Sequence, residues 1–243
     1  MMRIVLLWLQ MSFFFCYGKY YSAIRIGDAM SEHPTIDSEF YARVLKSDFP
    51  LAHSQTTLIA AGMNKALCWN LFDSQVKSRH LDLQARILKE QGLGFYTIGS
   101  SGHEGNAVIA NVFKKTDMAF LHYRSGAFYL ERAKKDAEVD GVEDILLSLM
   151  TKASEPISAG RHKVFGRVSL FIPPQTSTIA SHLPKAVGMA FSLSRAKELQ
   201  IDANIPYDAV ILCSFGDASV NHASAQTSFN LASYLAFQNY PLP

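Results

Sequence analysis

The sequence predicts an α/β protein in which helices cover both faces of a doubly wound parallel sheet. Short apolar runs alternate along the chain with longer amphipathic segments, which is the order typical of this class. The run Ala209–Phe215 is almost entirely apolar, as in a strand that is buried on both faces of a parallel sheet. Polar residues follow several of these runs directly, at the edge where open α/β sheets place their ligands.

The first half of the chain contains a long helical segment followed by two strand–helix pairs. Between Gln55 and Glu90, apolar residues recur at helical spacing with charged residues between them. Gly92 and Gly94 end this helix, and the small residues of GSSGHEGN form a turn before the next one. The other predicted elements are strands Phe95–Ile98 and Met118–His122, helix Glu104–Phe113, a helix after Arg124 that ends at Lys134, and helix Val142–Lys152.

The second half begins with a long loop. Ala153–Arg167 carries Pro156, Gly160 and Gly166 and has no apolar period, which predicts a loop long enough for a functional role. The elements predicted after it are strand Val168–Ile172, a turn at 173–177, helix Thr178–Leu199, strand Ala209–Phe215 and a last helix that contains Phe229 and Phe237.

Composition excludes several classes of protein. The chain has 243 residues and a net charge of +2, with no basic block longer than a pair, so no nucleic-acid partner is predicted. Its three cysteines are widely spaced in apolar surroundings, which indicates reduced thiols and a cytoplasmic location. The glycine motifs of dinucleotide-binding proteins, P-loop proteins and serine hydrolases are absent from the sequence.

Residues 1–29 differ in character from the rest of the chain. The apolar stretch Ile4–Tyr17 contains Gln10 and Ser12 and is shorter than the roughly 20 residues that a helix needs to cross a bilayer, so no membrane span is predicted. A basic residue before an apolar run imitates a signal peptide, but no clean cleavage site follows. We interpret 1–29 as a start-site error or a loosely attached extension, with a targeting segment as the alternative, and 30–243 as one partial domain.

A Gly-Asp turn follows the predicted strand Ala209–Phe215. Gly216 permits a tight turn, and Asp217 then lies at the carboxyl end of the strand with the hard oxygen ligand that Mg²⁺ prefers. The ordinary alternative is that Asp217 caps the following helix by accepting a backbone N–H bond. These two residues alone leave both roles open.

Other polar residues are expected at the same edge of the sheet. Tyr123 and Arg124 follow a strand, and Ser177 and Ile179 lie at the start of a predicted helix. An arginine fork, a helix N-terminus and a magnesium carboxylate together suit a diphosphate, because each neutralises or hydrogen-bonds phosphate oxygens. Singly, Arg124 would be an ordinary surface residue and Ser177 a helix cap, so the argument depends on their convergence.

Three blocks of the sequence resemble a known family. The blocks are GSSGHEGNAVIANVFKKTDMAFLHYRSGAFYL, TSTIASHLPKAVGMAFSLSRAKEL and CSFGDASVNHASAQTSFNLA. They are similar to blocks of the alpha part of thiamine diphosphate-dependent 2-oxo-acid dehydrogenases, the decarboxylating first component of the pyruvate and branched-chain complexes. The resemblance is strongest for bacterial forms in which alpha and beta parts are fused, and it covers Leu58–Pro243 in order. It implies the thiamine diphosphate-binding fold, which composition and spacing do not indicate.

The resemblance implies roles for individual residues at the predicted diphosphate site. Tyr123 and Arg124 match a Tyr-Arg pair whose arginine holds the cofactor diphosphate. Ser177 and Ile179 match residues that contact the cofactor, and the isoleucine supports its bent shape. Thr178 replaces a proline of a potassium-binding loop, so the presence of a potassium site stays open.

The resemblance also implies a metal turn. Gly216, Asp217 and Ala218 match the family's Gly-Asp/Glu-Gly turn, with Asp217 as the Mg²⁺ ligand. Ala218 replaces the more common glycine, which its small size makes tolerable.

Four histidines lie within the three blocks: His103, His122, His182 and His222. A motif histidine is usually a structural residue, but these flank one predicted anion site and could orient a 2-oxo acid or shuttle protons. His122 and His182 are the first candidate catalytic residues, with His222 as a third.

The chain is expected to supply at most half of a site. The family places a second Mg²⁺ ligand, an asparagine, after the next strand, and 26 residues follow Asp217 here. The beta part, which closes the other side of the cofactor, is also missing. We therefore expect the alpha portion of a 2-oxo-acid dehydrogenase, which acts with a beta part to decarboxylate a 2-oxo acid and pass the acyl group to a lipoyl-bearing acyltransferase. The alternative is a truncated or split-gene fragment without activity of its own.

Overall fold

In the computed structural model of this chain, the described residues are 42–43, 45–48, 57, 61–162, 164–202 and 204–243. Contacts divide the chain into two compact units, one of Leu7–Asn64 and one that contains Lys65–Pro243. The helices and strands given below all belong to the second unit. The predicted extension 1–29 lies outside the described residues.

The unit that contains Lys65–Pro243 alternates helices with short strands, as predicted for an α/β protein. Its helices are α1 (Lys65–Glu90), α2 (Asn106–Val112), α3 (Gly126–Ala133), α4 (Gly141–Leu149), α5 (Leu183–Glu198) and α6 (Ala223–Phe237). Its strands are β1 (Ala119–Phe120), β2 (Phe165–Arg167), β3 (Ile172–Gln175) and β4 (Leu212–Cys213), and Val168–Leu170 and Asp217–Asn221 form 3₁₀ helices. None of the described helices is long and apolar enough to cross a membrane.

Helix α1 packs one apolar face on the core and ends at a glycine. Leu81, Ala85 and Leu88 are buried on that face. Gly92 has a φ of +69°, a left-handed conformation that glycine adopts without strain, and the N–H of Leu93 bonds back to the Leu88 carbonyl at 2.8 Å. The predicted end of this helix before Gly92 is therefore confirmed.

Helix α3 lies at the centre of the unit, and all eight of its residues are buried. The Glu131 carboxylate on α3 is satisfied by three neutral donors: Asn70 Nδ2 at 2.6 Å, Ser74 Oγ at 2.7 Å and Asn111 Nδ2 at 2.9 Å. Lys134 Nζ lies 3.2 Å from the same group. A buried carboxylate is tolerated when its oxygens are hydrogen-bonded in this way. The network ties α3 to α1 and α2.

Strands β1 and β4 pair in parallel, with Ala119 opposite Leu212 and Phe120 opposite Cys213. The ladder continues at its carboxyl end, where the N–H of Ser214 donates to the Phe120 carbonyl at 2.9 Å. The strands predicted at Met118–His122 and Ala209–Phe215 are present, although each is regular over two residues, and the structure adds that they are neighbours. The structure supports the α/β class with a small parallel sheet, and the larger doubly wound arrangement stays a prediction.

The region after the long loop differs from the prediction. Val168–Leu170, predicted as strand, is a 3₁₀ helix, and β3 runs through Pro173 and Pro174, where a turn was expected. Strand β3 pairs antiparallel with β2, which takes the last three residues of the predicted loop. Proline lacks the N–H group for a regular ladder, and the pairing accordingly contains a register shift between Phe165 and Arg167. The proline pair indicated a turn, but an irregular edge strand accommodates it.

Two further predictions were wrong, one in the existence of an element and one in its bounds. Phe95–Ile98 has no regular secondary structure, and Phe95 is 79% exposed, because no described strand lies beside it to complete a ladder. Helix α5 begins at Leu183 rather than Thr178, since Ala180 takes a positive φ of 57° and Pro184 occupies the first helical turn. Ser177 and Ile179 therefore lie in the turn before α5 and not in the helix itself.

Candidate functional site

Two polar segments meet where the parallel strands β1 and β4 end. His122–Arg124 follow β1, and Ser214–Asp217 follow β4. The two segments are close enough that a Cβ atom added to Gly216 would lie 3.2 Å from His122 Nε2. Burial lowers the pKa of His103, the Arg124 charge lowers it further, and the Asp217 carboxylate raises it, so both charges act on this one ring. The predicted convergence of the two segments is present.

His122 is held rigidly between neighbouring rings. It is 3% exposed, and its ring centroid lies 4.8 Å from that of His103 and 3.9 Å from that of Tyr123. Its Nδ1 accepts the N–H of Arg124 at 3.2 Å, so the neutral ring carries its proton on Nε2, the atom that faces the turn after β4. Burial, together with His103, His182 and Arg124, lowers the pKa of His122 to about 3. A ring that stays neutral suits a hydrogen-bond donor better than a proton shuttle.

Arg124 carries a positive charge that no carboxylate of the described residues neutralises. Its Nη1 donates to the Gly99 carbonyl at 2.8 Å, and its guanidinium carbon lies 5.3 Å from the centre of the Tyr123 ring. These two contacts restrain the side chain without saturating its donors, since a guanidinium has five N–H groups. The remaining donors are available to an anion at the sheet edge.

Ser177 reaches the same edge through a tyrosine that the sequence analysis did not identify. The Ser177 and Tyr96 side chains interact, and Tyr96 also lies within electrostatic range of Tyr123 and Arg124. Burial raises the pKa of Tyr96 to about 12, with Tyr123 adding to the rise, so its hydroxyl stays protonated. Ile179 follows in the same turn and is 50% exposed. Tyr96 lies in a predicted strand with no motif around it, which explains why it was missed.

The Gly-Asp turn leaves its carboxylate exposed and uncommitted. Asp217 opens the 3₁₀ helix after β4, and both Asp217 and Ala218 are exposed. The capping alternative does not hold, because His222 Nδ1 caps α6 by accepting the N–H of Ser224 at 3.3 Å. Within the described residues, no group of three or more potential metal-ligating side chains is assembled. Asp217 would thus contribute one ligand to a cation held mainly by other groups.

His182 links two parts of the site. It is 1% exposed and immediately precedes α5. Its Nε2 lies 2.7 Å from the Ser214 carbonyl, and because a carbonyl only accepts, Nε2 carries the proton and donates it. Burial lowers the pKa of His182, so the ring is neutral. The bond ties the turn that holds Ser177 and Ile179 to the end of β4.

The structure distributes the four histidines unequally. His103, His122 and His182 lie at or beside the ends of β1 and β4. His103 and His182 both lower the pKa of His122, and Arg124 lowers the pKa of both His103 and His122. His222 is exposed and serves as the cap of α6. The geometry thus groups three of the four predicted candidates and gives the fourth a structural role.

A family model described as dehydrogenase E1 component matches residues 73–239, which is more than half of the 243-residue chain. The matched range includes every site residue named above. Among curated proteins, none matches the chain.

Proposed function

Because the chain belongs to the dehydrogenase E1 component family, whose members are thiamine diphosphate-dependent 2-oxo-acid dehydrogenases, we propose that it is an alpha portion that binds the diphosphate–Mg²⁺ end of this cofactor. The observation that carries the proposal is the meeting of uncommitted donors and one free carboxylate at the end of the β1–β4 pair. Arg124 and His122 offer N–H groups on one side, and Asp217 offers oxygens on the other.

The residues present suit a diphosphate with its metal. A diphosphate needs several N–H or O–H donors and a divalent cation, and Mg²⁺ commonly binds through one or two carboxylates together with phosphate oxygens. At this edge of the sheet, Asp217 supplies a carboxylate that would hold the cation together with phosphate oxygens. Gly216 packs closely on His122, so a Cβ atom there would require the ring to shift by a few tenths of an ångström, and the absence of a side chain lets the backbone of the turn approach a ligand.

Each residue has a defined task in this proposal. Arg124 binds the diphosphate with its remaining N–H groups, and His122 donates from Nε2 as a neutral ring. Ser177 and Ile179 contact the cofactor from the turn before α5, which His182 holds in place through Ser214. When bound, thiamine diphosphate supplies the carbanion chemistry that releases carbon dioxide from a 2-oxo acid. The metal turn of Gly216, Asp217 and Ala218 holds Mg²⁺.

The proposal includes the partners that the family's reaction requires. A beta part closes the other side of the cofactor, and a lipoyl-bearing acyltransferase receives the acyl group from the 2-oxo acid. We place the protein in the cytoplasm, where the free thiols Cys68 and Cys213 would stay reduced.

Calorimetric titration of the full chain with thiamine diphosphate, with and without Mg²⁺ and with and without a beta part, tests the proposal. We expect binding that depends on Mg²⁺ and strengthens with the beta part. Asp217→Asn should raise the Mg²⁺ concentration required for half-maximal binding by roughly tenfold or more, because a metal ligand is lost. Glu138→Gln is the matched control, since Glu138 is an exposed carboxylate outside the site. Equal Mg²⁺ dependence in the wild type and Asp217→Asn would remove Asp217 from the metal site.

A further inference from the structure

The arginine of the site depends on a segment without regular secondary structure. Residues 91–105 connect α1 to α2 and form neither helix nor strand. Arg124 nevertheless donates to this segment, at the Gly99 carbonyl, over 2.8 Å. The direction of the Arg124 guanidinium therefore follows the position of a loop carbonyl, and something must fix that position.

Asp82 on α1 fixes the loop at this point. Its Oδ2 accepts the backbone N–H of Ser100 and the Ser100 hydroxyl, each at 2.8 Å. The same oxygen would lie 2.9 Å from a Cβ atom on Gly99, so the carboxylate packs directly on the glycine whose carbonyl holds Arg124. The Asp82 side chain is 12% exposed, which protects these bonds from competition by water.

Neighbouring residues of α1 reinforce the same anchor. Arg79 Nη1 donates to Asp82 Oδ2 at 2.8 Å and to Ser101 Oγ at 2.7 Å. Ser78 Oγ donates to Ser100 Oγ at 2.9 Å. The loop is thus bound to one helical surface at two consecutive serines, immediately after Gly99.

We propose that Asp82 is a positioning residue for the cofactor diphosphate: by holding Gly99 and Ser100 on α1, it fixes the carbonyl that aims the Arg124 guanidinium at the end of the β1–β4 pair. The inference rests on the proposed function, in which Arg124 binds the diphosphate. Its physical basis is preorganisation, because an arginine that is already restrained loses less conformational freedom when an anion binds.

The test is a double-mutant cycle on the full chain, with thiamine diphosphate and saturating Mg²⁺ as the probe and the dissociation constant as the readout. We expect Asp82→Ala to raise the dissociation constant roughly threefold to tenfold, the cost of ordering one long side chain on binding. Asp82→Asn should bind the cofactor nearly as tightly as the wild type, since the amide carbonyl oxygen can accept both Ser100 hydrogen bonds. Asp73→Ala is the matched control, because Asp73 is a carboxylate on α1 that pairs with Lys77 and Lys134 and not with the loop.

The cycle separates the inference from the proposed function. In an Arg124→Ala background, Asp82→Ala should add no further loss, since the two residues act in series. An undiminished loss in that background would overturn the inference and leave the proposed function standing. An Arg124→Ala variant that binds as tightly as the wild type would refute the proposed function, and the inference with it.

A readout without cofactor supports the cycle. The side-chain N–H signals of Arg124 in the free chain should show restricted rotation in the wild type and free rotation in Asp82→Ala. If Asp82→Ala does not fold, Gly99→Ala perturbs the same contact from the loop side, and it should weaken binding to a similar degree. Unchanged Arg124 signals in both variants would overturn the inference.

Discussion

Removing the Glu131 carboxylate should destabilise the whole unit more than any surface substitution. In Glu131→Ala, the buried Ser74 hydroxyl and the half-buried amides of Asn70 and Asn111 lose their shared acceptor. Lys134 is partly exposed and can return to water, so it adds little to the loss. One buried donor and two half-buried donors without an acceptor, together with a small cavity, give an expected loss of about 2–4 kcal/mol in the free energy of unfolding.

Urea unfolding followed by circular dichroism measures this loss, and a thermal melt provides a second readout. A loss of that size corresponds to a fall of roughly 10 °C in the melting temperature for a unit of this length. Glu131→Gln should cost less, about 1–2 kcal/mol, because an amide oxygen can still accept from Asn70 and Asn111, which share one carboxylate oxygen. Glu138→Ala, an exposed glutamate outside the network, is the matched control and should change stability by less than about 0.5 kcal/mol.

The ranking of these variants by stability is as informative as the size of each loss in the free energy of unfolding. If Glu131→Ala and Glu138→Ala have the same stability, the three hydrogen bonds contribute nothing net, and the network does not hold α3 to α1 and α2. If Glu131→Gln is as unstable as Glu131→Ala, then the charge and not the acceptor geometry stabilises the unit.

Three further predictions concern the site. Arg124→Lys keeps the charge and loses the planar fork, so it should raise the dissociation constant for thiamine diphosphate by about tenfold without altering the melting temperature. An unchanged dissociation constant would mean that Arg124 is a surface residue that does not bind the diphosphate. Gly216→Ala places a Cβ atom 3.2 Å from His122 Nε2, and that ring is packed between two others. Calorimetry should therefore show weaker cofactor binding, and urea unfolding should show a loss of about 1–3 kcal/mol in the free energy of unfolding. Wild-type values in both measurements would mean that the ring moves freely. The pKa of His122 is about 3 in the folded chain and near 6.5 when unfolded, so the unfolded state takes up the proton first and stability is lost as pH falls below about 6.5. Urea unfolding at pH 7 and 5.5 should therefore show about 1 kcal/mol less acid destabilisation in His122→Gln than in the wild type; an identical loss in both would contradict the shift.

The elements that the sequence predicted well are those whose signal is local. The helical period and Gly92 located most of α1 and its end, although α1 begins at Lys65 rather than at Gln55, and the apolar runs located β1 and β4. The start of α5 was predicted five residues too early, because the positive φ of Ala180 is imposed by the surrounding structure. Phe95–Ile98 has strand composition but no pairing partner in the described residues, and composition alone does not supply one.

The same distinction between local and long-range signals applies to the residues of the site. The rule that ligands gather at the carboxyl ends of parallel strands predicted that Arg124 and Asp217 lie at one edge, and the charges of both act on the His103 ring. The Asp82–Ser100 bonds span 18 residues and the Arg124–Gly99 bond spans 25, so no spacing along the chain reveals them. The hydrogen-bonding state of His122 likewise depends on a backbone N–H group and on neighbouring rings, which a sequence does not place.

The complete burial of α3 affects how readily the two sides of the site open locally. A helix with no solvent-facing residue opens only when the unit as a whole unfolds, so its amide hydrogens should exchange on the slowest timescale of the protein. Arg124 lies two residues before this helix, whereas Asp217 and Ala218 lie on an exposed 3₁₀ turn that can open by itself. The amide hydrogens of Asp217–Asn221 should therefore exchange faster than those of Gly126–Ala133, so the two sides of the proposed site should differ in local stability.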